Sequence, residues 1–209
     1  KDNEKSVPIK PITFWIENTT PYELRPIIKN AVLAWNIAFE EAGFIDAIEV
    51  KIQPDDADWS AGDIRYNVLR WTSSPNPPFG GYGPSFTNPR TGEILGADIM
   101  LEWIYLTNRV RYSEIFENQE IRENDFCHNS LIKQENRIFG KLATEALDLN
   151  ENEISRLYEE DLYQLILHEV GHTLGLNHNF AASTLHNNSD VHNPEITYKE
   201  GLSSSVMDY

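Results

Sequence analysis

Hydrophobic and polar positions alternate and recur in ways that predict most of the elements. Over residues 12–17, Ile12, Phe14 and Ile16 alternate with Thr13, Trp15 and Glu17, the period of a half-buried strand. Thr20-Pro21-Tyr22-Glu23 then reads as a helix start, with Thr20 as cap, Pro21 at the first helical position and Glu23 completing a capping box. Leu24, Ile27, Ile28, Ala31, Val32, Trp35, Ala38 and Phe39 recur at helical spacing, and Gly43 supplies a C′ stop. Residues 47–53 and 63–71 read as strands, separated by an acidic loop over 54–62. A Pro/Gly/Ser stretch over 72–84 precedes a short edge strand, 85–88, which Pro84 and Pro89 bracket. Asn88 to Gly92 is a turn signal, and residues 94–103 form a further strand. Residues 105–154 are charged and read as an insertion or connecting subdomain. A helix is expected there over 131–147, with Ile132, Ile138, Leu142 and Ala146 as its core positions. A last helix runs over about 155–174.

Composition narrows the classes. Seventeen Lys and Arg against thirty-three Asp and Glu give a net charge of −16, which argues against nucleic acid or an anionic membrane as partner. A hydrophobic fraction of 40% over 209 residues is enough for a real core and for one domain, so the chain is not a disordered acidic tail. No apolar run approaches the ~18 residues of a membrane span. The opening KDNEKSVPIK is not a signal peptide, so an exported protein would carry its targeting segment outside this sequence. The single cysteine, Cys127, excludes an internal disulfide framework and a Cys-based zinc site, and reads as an ordinary thiol.

The last long helix contains His168-Glu169-Val170-Gly171-His172. Residues four apart lie about 40° apart around a helix, one turn along it, so His168 and His172 can share one metal ion. Glu169, rotated by about 100°, can sit beside that ion without ligating it and take a proton from a water. Continued as helix, His178 would lie about 240° around from His172 and about 9 Å further along, out of reach. A left-handed glycine at Gly175 can end the helix and turn the chain back, so that His178 becomes a third ligand. The string His168-Glu169-x-x-His172-x-x-Gly175-x-x-His178 makes physical sense only as a unit.

HEVGHTLGLNH, residues 168–178, resembles the zinc-binding signature of the metzincin metallopeptidases, and Ser205-Val206-Met207-Asp208-Tyr209 resembles that group's Met-turn. More narrowly, FGGYGPSFTNPRTGEILGADIMLEW (79–103), HEVGHTLGLNHNFAAS and SVMDY resemble large exported bacterial zinc-dependent metalloproteases. The resemblance covers most of the chain, weakly between 105 and 150. It implies an α+β, zincin-like domain. Its twisted mixed sheet of about five strands, with an antiparallel edge strand, would pack on two long helices, the second carrying the zinc motif. Residues 1–209 would form one catalytic domain of an exported protein. About 11–104 would be the upper sheet and first helix, 105–154 an insertion, 155–178 the zinc helix and third ligand, and 179–209 the start of a lower subdomain.

The resemblance also implies roles. His168, His172 and His178 would bind one zinc ion and leave a fourth position for water. Glu169 would be the general base. Met207 would form an apolar floor. Tyr209 would ligate the resting metal or hydrogen-bond the oxyanion. The edge strand would line the cleft and pair with an extended polypeptide substrate, through Ser85 and Phe86, with Gly80, Gly81 and Gly83 letting that peptide approach. A flexible loop joining two strands is an equally good reading of the glycines. The sequence stops at the Met-turn, where metzincins usually continue with a helix, so a fragment of a longer chain is expected.

His128, His186 and His192 have no ligand spacing with the motif and read as surface or loop histidines. Asp55, Asp56 and Asp58 could contribute to a calcium site but lack an EF-hand pattern. A monomeric zinc endopeptidase is the leading expectation. The alternatives are a catalytically silent metzincin-like zinc-binding protein with a binding role, and a zinc hydrolase acting on small amides.

Overall fold

A computed structural model describes residues 5–74, 81–102 and 151–208. The chain opens with β1 (Ile12–Ile16), α1 (Arg25–Glu41) and β2 (Ile48–Ile52), a βαβ unit whose two strands run parallel with Phe14 opposite Val50 and Ile16 opposite Ile52. Phe14 and Ile16 bury against Ile28, Ala31 and Val32 on one stripe of α1. The Asn36 side chain fixes where β2 begins, donating to the Ile48 carbonyl at 2.9 Å and accepting its N–H at 2.8 Å.

β3 (Asn67–Thr72) and β6 (Ile94–Glu102) continue the parallel sheet, and the short strands β4 (Gly81–Tyr82) and β5 (Ser85–Thr87) run antiparallel along β6. The order is β2-β1-β3-β6-β4, with β5 also on β6. The expected α+β mixed sheet with an antiparallel edge is therefore present, with six strands where about five were expected. Gly83 and Pro84 split the edge in two, because proline has no N–H to give to a ladder. Helix α2 (Glu151–Thr173) packs beside α1, burying Leu162, Ile166 and Val170 in the same core. A 3-10 turn (Ala182–Thr184) and α3 (Pro194–Glu200) follow. No helix among the described residues is long and apolar enough to cross a membrane.

Three local expectations need correcting. The capping box at Thr20 does not form, and α1 starts at Arg25, with Pro26 in its first turn. Residues 21–24 make a separate turn, closed by the Leu24 N–H on the Pro21 carbonyl, and Arg25 reaches back to the carbonyls of Thr20 and Asn18. Proline at 26 already needed a helix start there. The strand expected over 63–71 begins only at Asn67. Asp63 instead accepts the Arg65 backbone N–H at 3.0 Å and its guanidinium, which makes a turn, and Tyr66 stacks on Trp59 with ring centroids 3.8 Å apart. Trp15, on the sheet face away from α1, meets that pair edge-on. Helix α3 was not expected, although Asn193-Pro194 at its start and Gly201 at its end are ordinary helix punctuation. The helix expected over 131–147, like Cys127, His128, Trp103, Gly80 and Tyr209, lies outside the described residues.

Candidate metal centre

The string over 168–178 folds as its spacing requires. Helix α2 ends in a Schellman turn. Gly175 takes a φ of +91°, its N–H reaches the His172 carbonyl at 3.0 Å, and the Leu176 N–H reaches Gly171 at 3.1 Å. The chain reverses, and His178 returns to the two helical histidines. Its Nε2 lies 3.2 Å from that of His168 and 3.1 Å from that of His172, which are themselves 3.1 Å apart.

Carbonyl oxygens orient two of the rings. His168 Nδ1 lies 2.8 Å from the Val206 oxygen, and His172 Nδ1 lies 2.9 Å from the Leu176 oxygen. A carbonyl only accepts, so both Nδ1 atoms carry hydrogen, and in the neutral rings both Nε2 atoms present lone pairs. Burial, and then the neighbouring His172, hold His178 below the usual histidine range, which favours the neutral ring that a metal needs. Lone pairs facing one another at this distance repel unless a cation sits among them. Ligands ~2.0–2.1 Å from a tetrahedral zinc ion stand roughly 3.3 Å apart, so the donor set fits. Among the described residues this is the one group of three potential ligands that converges; Asp55, Asp56 and Asp58 do not form another.

The segment after the third histidine packs against the motif helix and the His178 loop. Met207 is 2% exposed. Its N–H donates to Ser205 Oγ at 3.1 Å, and its carbonyl accepts the Asn179 N–H at 2.7 Å, tying the turn to the His178 loop. The Met207 sulfur sits against Gly171, where a β-carbon would land on it and within 3.0 Å of the Trp35 ring. Trp35 in turn donates its indole N–H to the Leu167 carbonyl at 3.1 Å, holding α2 against α1. Gly171 and Trp35 were not singled out as site residues. The glycine just before His172 was the only local signal for the first, and helical spacing marked the second only as a core position.

Glu169 is 1% exposed and faces β4. There the glycine expectation changes. Gly81 and Gly83 lie against α2 itself: a β-carbon at Gly83 would stand 2.6 Å from the Glu169 carbonyl oxygen, and one at Gly81 would stand 3.0 Å from Glu169 Cγ. Their bare Cα atoms admit the zinc-motif helix. Ser85 and Phe86 pair with Ala97 and Gly96 of β6, and Phe86 is exposed. No strand among the described residues covers the other edge of β5. His186 Nε2 donates to the Gly201 carbonyl at 2.8 Å, and it and His192 stand in the loop before α3, away from the triad.

Residues 150–209 match the family model described as Met-zincin. No curated protein and no solved structure matches the chain. The matched stretch, less than a third of the chain, holds the converging imidazoles and the turn that seats them, and it supports a metzincin-clan, zinc metallopeptidase-like domain.

Proposed function

We propose that this domain is a zinc-dependent endopeptidase. The observation that carries the proposal is the convergence of three Nε2 atoms within 3.2 Å, with the buried Glu169 on the adjacent helical position. His168, His172 and His178 would hold the ion. Bound zinc supplies a Lewis acid and makes a water in its open position more acidic. Glu169 takes the proton of the attacking water and returns it to the leaving amine. Met207 keeps water from the underside of the imidazoles, and the Val206 and Leu176 carbonyls hold two of the rings in the ligating tautomer. The uncovered edge of β5 offers N–H and C=O groups to an extended polypeptide, which would add as a further strand beside Ser85 and Phe86. Tyr209, two residues after Met207, belongs to the proposal as an oxyanion donor or metal contact.

Digestion of unfolded casein tests it, with one zinc per chain confirmed first and Glu169→Ala alongside. Cleavage by the parent and its loss in the variant, with zinc retained, are expected. Zinc-loaded protein that cuts nothing, with the variant identical, would leave a zinc-binding role in place of the peptidase.

A further inference from the structure

We propose that Gly81 is a positioning residue that sets where the Glu169 carboxylate rests; this builds on the peptidase reading above. Gly81 is buried in β4 and pairs with Leu101 of β6, itself a core residue 1% exposed. A β-carbon at this position would meet three atoms: Glu169 Cγ at 3.0 Å, Leu165 Cδ1 at 3.1 Å and Glu169 Oε1 at 3.2 Å. Two of the three belong to the side chain assigned as base.

The surroundings decide what would yield. The ladder to β6 ties the strand at Gly81 and Tyr82. The helix is tied as well. Its far side carries Val170 in the core, Gly171 against Met207, and the Leu167 carbonyl on the Trp35 indole. Leu165, one turn before Glu169, is 2% exposed, and Glu169 itself is 1% exposed. Glu169 supplies two of the three atoms met and Leu165 one, so an added methyl would press chiefly on the Glu169 side chain and displace its oxygens. Gly83 acts differently. Its β-carbon would meet the Glu169 backbone oxygen at 2.6 Å, which no side-chain rotation relieves. Gly83 sets how closely the strand approaches the helix, and Gly81 sets where the carboxylate lies within that approach.

Two readouts test this on zinc-loaded protein. The first is a thermal-unfolding cycle of Gly81→Ala, Glu169→Ala and the double variant. Gly81→Ala is expected to lower the melting temperature in the parent and to lower it less when residue 169 is Ala, because the atoms it strikes are then gone. If Gly81→Ala alone fails to fold, the double variant is expected to fold. Equal losses in both backgrounds, or a double variant that also fails to fold, would overturn the proposal. The second readout is the affinity for acetohydroxamate, a zinc chelator whose hydroxyl proton a neighbouring carboxylate accepts. Gly81→Ala is expected to keep one zinc per chain and weaken acetohydroxamate about tenfold or more, as is also expected of Glu169→Ala. It should also lower kcat about 10²-fold with KM within about twofold. Unchanged acetohydroxamate affinity, or unchanged kcat in a parent that cleaves casein, would count against it. Should the parent cleave no polypeptide while the stability coupling and the acetohydroxamate loss both appear, the positioning role stands and the peptidase assignment falls.

Discussion

Helices α1 and α2 end in the same way and lead to different chemistry. At Gly43, φ is +96°, the glycine N–H reaches Glu40 at 3.0 Å, and the Phe44 N–H reaches Phe39 at 2.8 Å. At Gly175, φ is +91°, and the same two bonds run to His172 and Gly171. Both are Schellman turns. Beyond Gly43 the chain passes Phe44, which bridges to Ser6, and enters β2. Beyond Gly175 the Leu176 carbonyl orients His172, and two residues later His178 completes the triad. The residue four before each glycine also differs. In α1 it is Phe39, packed on the core; in α2 it is Gly171, left bare so that Met207 can approach. One local stop code therefore serves two ends, and the groups that converge around the second turn give it a chemical role.

The largest expected effect breaks the second turn's product. His178→Ala should weaken zinc binding by more than about 10²-fold, since loss of an outer partner alone costs ~10–100-fold. Competition against a chelator of known affinity reads it. Next, Gly171→Ala should destabilise the protein by about 1–3 kcal/mol through overpacking on the Met207 sulfur and Trp35, and should loosen zinc as well. Thermal melts with and without zinc separate the two effects. The matched pair Gly43→Ala and Gly175→Ala sharpens the comparison further. Each forces alanine into a left-handed conformation, at about 1–2 kcal/mol. Only Gly175→Ala should also lower zinc affinity, by moving the Leu176 carbonyl from His172. Equal zinc affinities in the pair would show that the second turn is merely structural.

The smallest effect is a pH dependence in chelator-treated protein. His178 is held below the usual histidine range in the folded state, so the unfolded chain binds its proton more readily. Stability then rises with pH between the lowered folded value and the ordinary value near ~6.5, and falls as the solution is acidified through that window. His178→Ala should flatten that part of the curve, as read by denaturant melts across pH.

How much of this was legible in the sequence depends on distance along the chain. The triad was legible because helix geometry and one glycine fix its spacing within eleven residues, and the Gly43 stop was legible for the same reason. The α1 start was misread because Thr20 and Glu23 mimic a capping box, while Pro26 decides where the helix begins. The turn at Asp63 was missed because Ile64 and Tyr66 alternate like a strand although Asp63 captures the Arg65 N–H. Contacts between distant segments had no local signature. The Val206 carbonyl on His168, Trp35 on Leu167, and Gly81 against Glu169 all join stretches that only the fold brings together. For that reason nothing in the sequence marked Gly81 and Gly83 as the seat of the helix.

The most direct measurement is zinc-edge X-ray absorption on protein loaded with one equivalent of zinc, before and after adding acetohydroxamate. The triad closed by the turn at Gly175 predicts three imidazole nitrogens at ~2.0–2.1 Å and a lighter oxygen shell that changes with the chelator. Two imidazoles, or four ligands that ignore the chelator, would contradict it.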